Sequence, residues 1–274
     1  MLAQFGADAR LLAGGQSLIP AMRYRLARPG VLLDINPIKE LAYLKESDGQ
    51  LRMGALARDA ALEKSPLIGS RYGLIKDVSA IVADPVVRQM GTVVGSLCHS
   101  DPAGDWGVAA LASRAQMVVR GKGGDRVIDI DDFLVDSFTT AVADGEMAIE
   151  VRFPTPGATT AGAYQKIERK VGDFATASAA VQLTLGADGK IAAAGVAIGA
   201  AGPKAMRVAQ AEQLLNGATP SAAVVRAAAE EARKLSDPTP DGRGSAEFKK
   251  DMAGVLVERA LRKALQRLGV EGLK

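Results

Sequence analysis

The sequence predicts an α+β chain built in two parts. Three observations carry this reading. A compact β-α-β pattern with a glycine turn occupies residues 9–35. Short strands and helices then run to Pro154-Thr155-Pro156-Gly157, the clearest turn signal in the chain. Beyond it, three strand-like stretches are followed by three helix-patterned ones.

In chain order, ARLLA (9–13) reads as a buried strand running into Gly14-Gly15. Ser17 stands where a helix N-cap belongs, and Leu18, Met22 and Leu26 recur at helical spacing. Pro20 falls in the first turn, and Pro29-Gly30 ends the helix ahead of a second strand, VLLDI (31–35). Residues 51–55 form a short strand, and 56–63 and 67–82 carry helical patterning. Residues 90–97 are punctuated by glycine and read as extended, and 103–115 as a helix with Asp101 as its cap. Residues 116–120, 125–130 and 147–153 are strand-like. After the linker, 162–167, 175–185 and 191–198 read as strands, the last two joined through Ala187-Asp188-Gly189. Residues 204–216, 221–235 and 246–268 read as helices. Arg259, Arg262, Lys263 and Arg267 mark a solvated face of the last one.

Composition excludes several functions. The 34 basic and 31 acidic residues leave a net charge of +3, no run of five cations occurs, and aromatics are 4%, so a basic, ring-lined nucleic-acid groove is not expected. No apolar stretch is long enough to span a membrane, and the opening residues are too polar for a secretory signal, which predicts a cytoplasmic protein. One cysteine, Cys98, forbids an internal disulfide and a protein-held iron–sulfur cluster. One histidine, His99, argues against a histidine-based metal site, and no metal ligands or catalytic residues are assigned. His99 has no acid partner fixed by spacing, and Cys98 and Trp106 read as core.

The glycine clusters are the informative feature. Ala13-Gly14-Gly15-Gln16-Ser17 joins a strand to a helix start, where successive N–H groups can cradle an anion; a plain tight turn is the competing reading. It is not the GxGxxG dinucleotide fingerprint. The second cluster, Gly91-Thr92-Val93-Val94-Gly95-Ser96, is read as a strand-to-loop passage. Asp105 follows it as the carboxylate free to meet a ligand.

Three segments taken together resemble the flavoprotein subunits of molybdenum hydroxylases, nearest to the carbon monoxide dehydrogenase medium-subunit family: LLAGGQSLIPAMRYRLARPGVLLDI (11–35), VRQMGTVVGSLCHSDPAGD (87–105) and AYQKIERKVGDFATA (163–177). The resemblance implies a vanillyl-alcohol-oxidase-type (PCMH) FAD-binding domain over 1–157. A smaller domain with a three-stranded antiparallel sheet and helices follows over 162–274. It implies non-covalent FAD held by Ala13, Gly14, Gly15, Gln16 and Ser17 and by Thr92, Val93, Val94, Gly95 and Ser96. Asp105, Lys166 and Ala148 are matched to further family contacts. The family's second loop carries glycine where this chain has Val94, which predicts either a strained backbone or a side chain crowding the phosphate. Members begin some twenty residues earlier, so Met1 is expected inside their first helix.

By the same resemblance the chain is an electron-transfer subunit. A molybdopterin-containing large subunit oxidises substrate, a 2Fe–2S small subunit relays electrons, and FAD here delivers them to an external acceptor. Arg23, Arg25 and Arg28, on the outer side of the first helix, are candidates for the partner surface. A stand-alone FAD oxidoreductase of the same fold and a non-catalytic relative without flavin are the competing readings.

Overall fold

The computed structural model describes residues 2–272. A short α1 (Leu2–Phe5) precedes β1 (Ala9–Leu12), α2 (Leu18–Arg23) and β2 (Val31–Asp34). β1 and β2 form a two-stranded parallel ladder, with Ala9 opposite Val31. α2 ends at Arg23, earlier than the apolar spacing predicts, because Arg25 adopts a left-handed conformation (φ 59°) and turns the chain. Of the three predicted partner arginines, only Arg23 is on the helix. β1 is also less buried than expected: only Ala9 is fully covered.

Next come β3 (Leu44–Ser47), β4 (Gln50–Gly54), α3 (Asp59–Lys64), α4 (Pro66–Arg71), α5 (Gly73–Ile81), α6 (Pro85–Met90), α7 (Val93–His99) and α8 (Asp105–Ala112). The predicted helix over 67–82 is interrupted at Tyr72, where the backbone leaves the helical region. The largest departure lies at 90–97. Only Gly91 and Thr92 are extended; from Val93 the chain is helical, because the Thr92 hydroxyl accepts from the Gly95 N–H (3.1 Å) and caps α7 while Val93, Val94 and Leu97 bury one face. α8 starts at Asp105. Asp101 accepts from the Ala103 N–H within the preceding turn and caps no helix.

β5 (Gln116–Gly121), β6 (Gly124–Asp129), α9 (Ile130–Phe133), the hairpin β7 (Leu134–Asp136) with β8 (Thr139–Thr140), and β9 (Met147–Pro154) complete the first domain. Its antiparallel sheet has the order β3-β4-β9-β5-β6. Beyond the linker, β10 (Thr160–Ile167), β11 (Ala177–Leu185), β12 (Ile191–Gly199) and a two-residue edge, β13 (Met206–Arg207), form a four-stranded antiparallel sheet where three strands were expected. The stretch predicted as helical from 204 supplies that edge first, and α10 spans only Ala209–Leu215. α12 (Ala246–Arg267) and α10 cover the sheet's outer face, and α11 (Ala222–Leu235) packs on both helices.

The sheet's inner face packs on α8, which is buried from Asp105 to Ala112 apart from Gly107. Glycine makes this contact possible. A Cβ at Gly195 would overlap the Ala112 carbonyl, and one at Gly199 would sit 2.5 Å from Val108. The two domains are thus joined by backbone-close packing. Arg267 and Lys263 add an ion-paired clamp on Asp77 of α5 (2.8 and 3.0 Å), so this part of α12 is not a solvated face.

Candidate cofactor-binding site

The first loop leaves β1 at Leu12 and turns at Gly15, whose φ of +72° favours glycine. Among the described residues, the N–H groups of Gly14, Gly15, Gln16 and Ser17 find no acceptor in the chain. The Ser17 hydroxyl, in the N-cap position of α2, makes no capping bond. Four successive free donors beside a helix start form a cradle for an anion.

The second loop presents the start of α7. Gly95 N–H is taken by Thr92, Thr92 is bridged to Arg58, and Val93 and Val94, at the first two helical positions, are buried at 0% and 2% exposure, so this loop opens no run of free amides to a ligand. Both glycine loops meet directly: a Cβ at Gly14 would overlap the Met90 carbonyl oxygen. Three residues that the sequence reading did not single out hold them together. The Arg58 guanidinium donates to Met90 O and to Asn36 Oδ1, and Asn36 Nδ2 donates to Ala13 O (2.9 Å). Asp59 N–H donates to Gly91 O (3.0 Å). Nothing local marks Asn36, Arg58 or Asp59, because their partners lie 22 to 32 residues away.

Val94 departs from both alternatives that the sequence raised. Its backbone is helical, with no positive φ, and its side chain is in the hydrophobic core. Val94→Gly is therefore expected to weaken folding, by about 2–3 kcal/mol from the lost side chain and the helical glycine, without tightening flavin binding. Thermal unfolding and flavin titration of the variant check this. A tighter complex would restore the crowding explanation.

Asp59 lies beneath the second loop, with Oδ2 where a Gly91 Cβ would go and Oδ1 accepting from Trp106 Nε1 (3.0 Å). Burial pushes its carboxyl up to about 7, helped by Asp105 and opposed by the Trp106 bond and by Arg88 and Arg58. The folded chain therefore retains a proton between the ordinary value of 3.8 and about 7 that the unfolded chain releases. This group's contribution is present at low pH and is lost as pH rises through 7. Asp59→Asn should remove that dependence. The stability of the wild type relative to the variant should fall by on the order of 2–4 kcal/mol between about pH 4 and pH 8. Parallel stability–pH curves from denaturant titration would contradict it.

Asp105 and Lys166, assigned from different segments, come together. Asp105 accepts from the Tyr164 hydroxyl (2.6 Å) and faces Lys166 Nζ at 3.3 Å. The Lys166 side chain is 1% exposed and also donates to the Asp173 and Ile81 carbonyls. Burial raises the Asp105 carboxyl despite Lys166 and Tyr164. Lys166 also faces Glu168 Oε2 at 3.0 Å, so its ammonium lies between two carboxylates at the domain junction. Ala148 lies buried in β9, opposite Val119 of β5, and makes no contact with that pair among the recorded bonds. Ser96 is half-buried on α7. His99 packs on Phe138 with Asp101 3.6 Å away, and Ser100 donates to Asp136 O, so no serine–histidine pair forms. Cys98 is exposed, unlike the expected buried residue.

The four free amides of the first loop, held against the second loop at Gly14, fit a phosphate group, the part of FAD that such donors can recognise. The comparisons agree. The family described as the FAD binding domain in molybdopterin dehydrogenase matches residues 1–156, and the CO dehydrogenase flavoprotein C-terminal domain matches 162–264. The carbon monoxide dehydrogenase medium chain of Hydrogenophaga pseudoflava is 36% identical, with 97% of this chain and 93% of that one aligned. The 6-hydroxypseudooxynicotine dehydrogenase complex subunit alpha of Paenarthrobacter nicotinovorans is also 36% identical, over 97% and 90%. The solved carbon monoxide dehydrogenase from Hydrogenophaga pseudoflava that lacks the Mo-pyranopterin moiety matches with a TM-score of 0.94 and 38% identity, covering 97% of this chain and 92% of that one. The chain belongs to the FAD-binding family of the molybdopterin dehydrogenases, in the medium-chain class that carbon monoxide dehydrogenase represents.

Proposed function

We propose that this chain is the flavin-carrying subunit of a molybdenum hydroxylase complex. In this reading it takes electrons from 2Fe–2S clusters in a small subunit, which receives them from a molybdopterin-containing large subunit, and delivers them to an external acceptor. The observation that carries the reading is the run of free amides from Gly14 to Ser17, packed against the second loop where Gly14 meets Met90. Gly14 through Ser17 and the Thr92–Ser96 turn would hold the pyrophosphate. Arg58 and Asn36 keep the two loops in register. When bound, FAD supplies the one- and two-electron chemistry that the side chains lack. Asp105, Tyr164 and Lys166 fix the junction of α8 with β10.

Non-covalent attachment belongs to the same proposal: Cys98 and His99 carry no mark of a flavin link beyond lying near the second loop. The bounds 1–157 and 162–274 for the two domains and a cytoplasmic location belong to the same proposal.

The test is turnover by the purified, flavin-loaded chain. It should oxidise no aldehyde, purine or carbon monoxide alone, yet pass electrons from a chemical reductant to an artificial acceptor. Multiple turnover of such a substrate at roughly 1 s⁻¹ or faster would favour a stand-alone oxidoreductase. Failure to retain FAD would favour a non-catalytic relative.

A further inference from the structure

The β1–α2–β2 unit is built like something meant to be covered. Parallel ladders almost always have both faces buried, yet α2 and β2 contain no fully buried residue. Where α2 ends, Tyr24 is 79% exposed and Leu26 84%. A scattered apolar residue on a surface is ordinary; two so close together, flanked by arginines, are not. The turn that presents them is tied down, with Arg25 N–H donating to Met22 O, and Leu26 and Ala27 both to Ala21 O. These side chains are displayed by a fixed backbone.

Charge says what covers them. Residues 9–33 contain Arg10, Arg23, Arg25 and Arg28 and no Asp, Glu or Lys. Four positive charges and no negative ones give +4, against +3 for all 274 residues. Among the described residues, none of these arginines has a carboxylate within ion-pair distance. Arg10 and Arg28 donate only to nearby carbonyls. Arginine and tyrosine without lysine or acids is the composition of interface centres, in contrast to a solvated surface.

We infer that the end of α2 and the turn after it, Arg23 to Arg28, is the docking surface for an acidic face of another protein chain, the cluster-carrying subunit of the complex. The identity of that partner rests on the electron-transfer reading above. The placement suits it. α2 begins at the first glycine loop and is six residues long, so the patch stands about 9 Å along the helix from the pyrophosphate cradle. Complementary charge would speed encounter and fix orientation, and Tyr24 and Leu26 would supply the desolvated centre.

The test uses the intact complex, isolated through a tag on this chain. Amide exchange of residues 18–28 should slow by on the order of tenfold or more relative to the free, flavin-loaded chain. The variant Arg23→Glu/Arg25→Glu/Arg28→Glu should keep its flavin and thermal midpoint while its dissociation constant for the cluster-carrying chain rises by on the order of 100-fold. Tyr24→Ser/Leu26→Ser should weaken the same complex at high salt, where the charge contribution is screened. Unchanged complex formation by both variants overturns the inference. Loss of flavin from the charge-reversed chain with partner affinity kept also overturns it, and assigns the arginines to the cofactor. Protection of 18–28 in a dimer of this chain alone would make a second copy the occupant and overturn the heterologous partner. If the protein docked there is acidic but carries no iron by metal analysis, the electron-transfer reading fails while the surface stands; if no protein is recovered with the unaltered chain, both fall.

Discussion

Gly14→Val is expected to strip flavin from the protein. Any Cβ at position 14 would occupy the space of the Met90 carbonyl oxygen, and that carbonyl is held from its other side by Arg58. The two loops must then separate, and the free amides of the first lose their fixed placement. Forced overpacking of this kind costs roughly 1–3 kcal/mol, which predicts a loss of about 5- to 100-fold in FAD affinity. Flavin content per chain after purification and titration of the apo-protein measure it. Gly123→Ala is the control, because a Cβ there meets nothing within 4 Å. Equal flavin content in Gly14→Val and the wild type would remove the loop junction from the binding site.

Breaking the Asp105–Lys166 pair should have the largest effect on stability. Lys166 is almost wholly buried, and Asp105→Ala leaves its ammonium with Glu168 (3.0 Å) and backbone carbonyls only. It also takes the acceptor from the buried Tyr164 hydroxyl. Removing one partner of a buried pair costs about 3–5 kcal/mol, and in a chain of this size the thermal midpoint should fall by on the order of 10 °C. The double variant Asp105→Ala/Lys166→Met should recover part of that loss, since the buried ammonium is then gone and only the partly exposed Glu168 is left without it. A single variant as stable as the wild type, or a double variant worse than the sum of both singles, would show that the pair does not hold the domain junction.

Both experiments probe contacts between segments far apart in sequence, and there the sequence reading stopped. It placed the first glycine turn, the turn after Pro154 and most strands, because turns and periodic burial leave a mark within a few residues. It missed α7, because Gly91 and Gly95 look like loop punctuation until the Thr92 cap and the buried face of Val93, Val94 and Leu97 are seen together. It read part of α12 as solvated because the acid that binds Lys263 and Arg267 is Asp77, nearly two hundred residues earlier. Asn36, Arg58 and Asp59 were invisible for the same reason.

By itself the sequence determined the class of fold, most of its longer strands and, through resemblance, the cofactor. Each depends on local preference: glycine where the backbone must turn, and apolar residues at the period of the element that buries them. Only the tertiary structure decided that Gly14 touches Met90, that Gly195 and Gly199 let α8 lie on β12, and that Val94 points into the core and away from a phosphate. The physical reason is reach. A hydrogen bond or a steric overlap acts over a few ångströms in space, whatever the separation along the chain, and nothing in the one-dimensional pattern records which distant atoms will arrive there.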